Sequence, residues 1–163
     1  MINLKKIPAI VLVFMLFVSS GEAQVRYGDF AKEIALPTIK GDTLKLSSLR
    51  GKVVLLDFWA SWCGPCRSSN KTLGKTYDKY KSKGFEIFSV SIDENKNAWE
   101  RAIKKDKITW LQVNDDKGWY GKVPMAWNIY QIPTSYLIDK EGRLVAMDAE
   151  GKELEALLKD LLN

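Results

Sequence analysis

The chain has 163 residues, 46% of them hydrophobic, a net charge of +5, two cysteines and no histidine. Its positive excess is scattered as lysines through helical stretches, with no block or aromatic-interleaved strip, so nucleic acid is not implied as a partner. Two cysteines without histidine fall short of a four-ligand zinc site, and nucleophilic catalysis with a histidine base is excluded.

Lys5 and Lys6 precede a 12-residue apolar run, Ile7 to Val18, and SSGEA follows, with Gly21 and Ala23 at the small-residue positions of a signal-peptidase site. The run lies within the roughly 7–15 residues of a signal h-region. It is short of the ~20 that span a bilayer. Residues 1–23 therefore read as an export signal cleaved before Gln24, with an uncleaved N-terminal anchor as the alternative. Cleavage removes Lys5, Lys6 and Glu22, and residues 24–163 remain as one domain around one core.

Along that domain, Ile34–Ile39 and Thr43–Leu46 flank Gly41-Asp42 with alternating apolar residues, which predicts a β-hairpin. Ser47–Lys52 reads as a short turn. Val53–Phe58, VVLLDF, reads as a strand buried on both faces, with Asp57 inside it. After Pro65 the period becomes helical, placing Cys66, Leu73, Tyr77 and Tyr80 on one face until Gly84. Phe85–Ile92 reads as a second buried strand, Asn97–Lys105 as a helix, Trp110–Val113 as a strand and Val123–Asn128 as holding a short helix. Thr134–Asp139 and Arg143–Met147 flank Lys140-Glu141-Gly142 as a hairpin. The closing segment sets Leu154, Leu157, Leu158, Leu161 and Leu162 on one face of a helix. The order predicts an α/β sandwich around a central mixed β-sheet flanked by helices.

Both cysteines lie in Trp62-Cys63-Gly64-Pro65-Cys66-Arg67. A disulfide across two residues closes almost no loop, so it adds little as a staple. Arg67 stands where haem attachment requires histidine. Ala60 stands where a peroxide-reducing cysteine of the peroxiredoxin kind would be preceded by threonine, so a peroxidase ranks low. Dithiol–disulfide exchange remains. Cys63 at a helix N-terminus meets unpaired N–H groups that favour thiolate. Pro65 fits the first helical turn, Gly64 admits a close-packed partner chain, and Cys66 sits one turn further in, more buried.

Val53 through Cys66 resembles the signature strand, loop and helix start of thioredoxins, and Ile132-Pro133-Thr134 before a strand resembles their cis-proline loop. The N-terminal hairpin ending in Leu46–Lys52, with an extra helix and strand across Asp93–Val113, is similar to the exported TlpA-type, ResA-like branch of thiol-disulfide oxidoreductases. The resemblance implies a thioredoxin fold with an N-terminal β-hairpin and an inserted helix–strand. It implies Cys63 as attacking thiol, Cys66 as resolving thiol, the two forming a redox-active disulfide, and a cis Pro133. Ile132 would hold the substrate backbone, with Trp62, Gly64 and Pro65 beside it. Asp57, whose burial should raise its pKa, would shuttle a proton to and from Cys66. The other reading of Asp57 is a strand-end acid that reaches water.

Two positions depart from the pattern. Ser69 replaces a glutamate three residues after the second cysteine, and Ser89 stands where thioredoxins often place a lysine near the buried acid, so a relay would rest on Asp57 alone. The resemblance further implies an extracytoplasmic or periplasmic monomer without bound cofactor or metal. It would reduce disulfides of exported proteins, apocytochrome c among the candidates, and draw electrons from a membrane thiol reductase. An oxidant or general exchanger of the same fold, and a non-catalytic binding module, are the alternatives. Trp59 and Trp62 are expected to flank the site. Core packing is favoured over a partner-binding patch for Trp99, Trp110, Trp119 and Trp127. The sequon at Asn70 falls inside a predicted helix.

Overall fold

The computed structural model describes residues 26–163. The export signal, its cleavage before Gln24 and the anchor alternative lie outside the described residues. Two short antiparallel strands, β1 (Ala35–Pro37) and β2 (Thr43–Lys45), form the expected hairpin. The stretch read as a plain turn is partly a 3-10 helix, Leu46–Leu49, because Leu46 and Leu49 turn inward and are buried.

The main sheet has five strands in the order β5-β4-β3-β6-β7. β3 (Val53–Trp59), β4 (Phe85–Ser91) and β5 (Leu111–Asn114) run parallel, while β6 (Thr134–Ile138) pairs antiparallel with both β3 and β7 (Leu144–Met147). Among the described residues four α-helices complete the fold: α1 (Gly64–Tyr80), α2 (Lys96–Asp106), α3 (Lys122–Ala126) and α4 (Gly151–Leu161). This is the thioredoxin fold with its N-terminal hairpin and inserted α2–β5 unit.

Side chains of β3 alternate between two cores, as a period of two requires. Val54, Leu56 and Phe58 pack with Leu46, Leu49, Trp127 and Tyr136 under the N-terminal segment and α3. Val53 and Leu55 pack with Tyr80, Trp110, Leu154 and Leu158 under α1 and α4. Each fully buried apolar side chain of this size contributes about 1.5–3 kcal/mol, so the cysteine-bearing loop stands on a frame covered from both sides. A smaller cluster, Trp59, Ala60, Cys63, Cys66, Ile92, Trp99, Ala102 and Ile103, closes the C-terminal end of β3 under α2. Strand C-termini are where open α/β sheets present their sites.

α1 passes into a 3-10 turn, Lys81–Lys83, which ends where Gly84, at φ 95°, adopts the left-handed conformation that glycine tolerates. α2 opens on Asn95, whose side chain accepts from the Ala98 N–H at 3.0 Å.

Candidate active site

Cys63 is the N-cap of α1, and its sulfur accepts the Cys66 N–H at 3.2 Å. Pro65 lies in the first turn, where an N–H would have no helical partner. Both cysteines are buried, 6% exposed for Cys63 and 2% for Cys66, and they form a disulfide. Gly64 is exposed, and a Cβ built on it would meet nothing within 4 Å. Trp62 is 59% exposed beside the cysteines. Trp59 instead points inward, and its Nε1–H donates to Gln112 Oε1 at 3.0 Å.

The Ile132–Pro133 peptide is cis. Ile132 packs on the cluster holding both cysteines. Pro133 lines a cavity of about 510 Å³ together with Asp57, Ser69 and Thr72 of α1, and Asp148 and Glu150 before α4. Ser69 is one turn beyond Cys66, and the cavity joins it to the buried acid Asp57. The structure thus brings Cys63, Cys66, Ile132, Pro133 and Asp57 to one end of the sheet.

Asp57 is buried, and its carboxyl is pushed up to about 6, chiefly by desolvation, with the nearby Glu150 charge adding to the rise. The Ser89 hydroxyl opposes it. Ser89 is the register partner of Asp57 across β3 and β4, and its Oγ–H donates to Asp57 Oδ2 at 2.9 Å. Trp110 Nε1–H donates in turn to Ser89 Oγ at 2.9 Å, which leaves the hydroxyl proton for Asp57. Lysine is missing at position 89, and a serine oriented by Trp110 takes hold of the acid instead.

Sequence reasoning missed a second set of residues that hold the loop itself. Asp93, just past β4, accepts from the Ser61 N–H (2.8 Å), Ser61 Oγ (2.6 Å) and Ser91 Oγ (2.8 Å). Asn114 Nδ2 donates to Asp93 O at 2.9 Å. Arg67 clasps Asp106 of α2 through Nε and Nη2, and its Nη1 donates to the Ser61 carbonyl at 2.9 Å. The one available signal was Asp93 itself, an acid directly after a buried apolar run. Asn70 is buried with its Nδ2 on Asp106, so the sequon's acceptor is spent inside the fold.

The four later tryptophans divide. Trp99, Trp110 and Trp127 are core, as expected, whereas Trp119 is 36% exposed with its ring centroid 6.3 Å from that of Trp62. Core packing fails for Trp119 because its 3-10 turn, Gly118–Tyr120, rides on the surface. Among the described residues there is no cluster of three or more metal-ligating side chains, and no helix is long and apolar enough to cross a membrane.

Comparison with known proteins bears on the family and the fold. The AhpC/TSA family matches residues 27–147. Thiol-disulfide oxidoreductase ResA of Bacillus subtilis is 31% identical over 146 residues, covering 90% of this chain and 79% of that protein. The thioredoxin domain of a thiol-disulfide oxidoreductase from Bacteroides vulgatus superposes with a TM-score of 0.80 at 35% identity, over 86% of this chain and all of that one. A thiol:disulfide interchange protein from a Bacteroides species gives 0.76 at 35%, over 85% and 91%. The chain belongs to the AhpC/TSA family and is a thiol-disulfide oxidoreductase with a thioredoxin fold.

Proposed function

We propose that the protein is an exported reductase of protein disulfides. The observation that carries the direction is the electrostatic poverty around Cys63. Strong oxidants of this chemistry stabilise the reduced thiolate. Here the chain has no histidine, Gly64 and Pro65 bring no charge, and the Arg67 guanidinium is committed to Asp106 and the Ser61 carbonyl. The Cys63 thiolate keeps the helix N-terminus and little else, so the dithiol yields its electrons readily.

In the reaction, the Cys63 thiolate attacks one sulfur of a substrate disulfide and expels the other as thiolate. Cys66 gives its proton to the Asp57 carboxylate, and its sulfur attacks Cys63 to release the second substrate sulfur. Two electrons pass to the substrate and the Cys63–Cys66 disulfide forms; Asp57 hands the Cys66 proton to the departing second substrate sulfur, and the first substrate thiolate takes its proton from water. Ile132 offers its backbone to the substrate chain across the cis Pro133, with Trp62, Gly64 and Pro65 beside it. The apolar run before Gln24 supports export, with a membrane thiol reductase as electron donor. Apocytochrome c is a candidate substrate, although Ser69 in place of glutamate removes one acid from that reading.

The test is the reduction potential of Cys63–Cys66, read from tryptophan fluorescence across dithiothreitol redox ratios. The expected value is near −270 mV, as for thioredoxin, and a value near −120 mV would reverse the electron flow. Each 30 mV is a tenfold change in equilibrium, so the two outcomes are far apart.

A further inference from the structure

The end of α2 reads Lys104-Lys105-Asp106-Lys107, one acid among three lysines. Lysines suit the C-terminal end of a helix, where the dipole is negative, and an aspartate there is opposed by it. Yet the acid is the residue that turns inward, its side chain 8% exposed, while the three lysines face solvent. What it holds accounts for its place. Arg67 of α1 grips it with Nε and with Nη2, the latter at 2.7 Å, and the buried Asn70 adds Nδ2 at 3.0 Å. Desolvation pushes the Asp106 carboxyl up, but the bonds from Arg67 and Asn70 outweigh it and hold the group below the ordinary carboxylate range.

Arg67 needs such a partner because of where it stands. Its backbone N–H bonds the Cys63 carbonyl at 3.0 Å, and its Nη1 reaches the Ser61 carbonyl at 2.9 Å, two residues before Cys63 in the chain. An uncompensated guanidinium at that place favours the Cys63 thiolate, as cations beside a cysteine do. Favouring the thiolate stabilises the reduced form and turns the couple toward an oxidant. The planar fork of arginine lets one side chain satisfy a carboxylate and a carbonyl together. With the Arg67 side chain 23% exposed, solvent screens this pair little. We propose that Asp106 is a positioning residue for the thiol chemistry: it neutralises Arg67 and fixes the guanidinium on the loop before Cys63, so that the inserted helix keeps the Cys63–Cys66 couple reducing. The proposal rests on the reductase reading above for the direction of electron flow, whereas the differences it predicts between variants do not depend on that direction.

The neighbouring charges single out Asp106. The Arg67 guanidinium is held charged chiefly by its bonds to Asp106, against desolvation, with the Asp93 charge adding at longer range. Asp93 is filled by donors from Ser61 and Ser91, so Asp106 is the acid that Arg67 touches. Lys105 faces Asp106 as a second cation but makes no ion pair with it among the described residues. Two further residues of α2, Ala102 and Ile103, pack in the cluster that holds both cysteines. The helix that carries the counter-ion is thus seated on the group whose charge it governs.

The experiment is the equilibrium of Cys63–Cys66 with dithiothreitol in the full chain, followed by tryptophan fluorescence, in the wild type and in variants of the clasp. Asp106→Asn keeps the shape and an acceptor for Asn70 but removes the charge. It should shift the equilibrium roughly tenfold toward the dithiol, about 30 mV, and Cys63 should react with iodoacetamide at lower pH. Asp106→Glu should restore most of the wild-type value. Adding Arg67→Met to Asp106→Asn should abolish the shift, because the cation that caused it is gone. No shift in a folded Asp106→Asn overturns the proposal. So does a shift that persists in the double variant, since displacement of the loop would then be its source. Arg67→Met alone does not depend on Asp106→Asn folding: it leaves an anion without its cation, so the couple should move toward the disulfide, and movement toward the dithiol sinks the proposal. A strongly oxidising wild type whose variants keep these differences would sink the reductase reading while the clasp stood. A reducing wild type with no differences would do the reverse.

Discussion

Asp57 and Asp93 are both buried acids near the C-terminal ends of neighbouring parallel strands, and they are held in opposite ways. Asp93 takes three donors, two from Ser61 and one from Ser91, while Asp57 takes a single donor, the hydroxyl of Ser89, among the described residues. A buried carboxylate whose oxygens are filled by fixed donors acts as a bracket, and here it pins the loop that carries Trp62 and Cys63. One that desolvation outweighs is left close to neutrality, and the Asp57 carboxyl is pushed up to about 6. The number and identity of the donors, rather than burial, distinguish Asp93 from Asp57.

The largest expected effect comes from breaking the bracket. Asp93→Ala strands the Ser61 N–H and two hydroxyls and should cost about 3 kcal/mol. Thermal unfolding should then fall by about 10 °C; a loss of only a degree or two would erase the contrast with Asp57. Asp57→Asn should act with the opposite sign. The folded pKa lies above the unfolded value of 3.8, so the folded state binds the extra proton between them. Its stability therefore declines as pH rises through that interval, and the penalty is complete above about 6. Removing the charge should raise stability at pH 7 by about 2 kcal/mol, after allowing for a weakened Ser89 bond, and leave it unchanged near pH 4. The same variant should exchange disulfides more slowly with a flattened pH profile near 6, and an unchanged profile would remove Asp57 from the relay.

This contrast also marks what a sequence can reveal. The run VVLLDF announced a strand buried on both faces, so the acid within it was visibly costly. Ser89 was placed near Asp57 by the resemblance to thioredoxins, and the register sets the two residues side by side across β3 and β4. Trp110 was expected inside β5, which begins at Leu111. Its indole N–H on Ser89 could not be read, because strand ends decide where such a ring points. Likewise Ser61, Asp93 and Asn114 lie 32 and 21 residues apart and carry no shared period. Arg67 and Asp106 meet only because α2 crosses the start of α1. Trp119 was indistinguishable from its core neighbours, since an aromatic in a short 3-10 turn has no amphipathic pattern to orient it.

Two smaller changes refine the environment of Asp57. Ser89→Ala removes its donor, which holds the carboxyl down, so the pH limb of exchange should move upward, with about 1 kcal/mol of stability lost at pH 7. Glu150→Gln should move the limb the other way, because the Glu150 charge raises Asp57 across the shared cavity. Glu150 is exposed and screened by solvent, so the change in rate at pH 6 should stay under about twofold. The direction is what matters, and it can be isolated by making Glu150→Gln in an Asp57→Asn background. There the limb should no longer respond, since the group that senses the charge is gone. A limb that still moved would belong to another titrating group, and Asp57 would join Asp93 as a bracket.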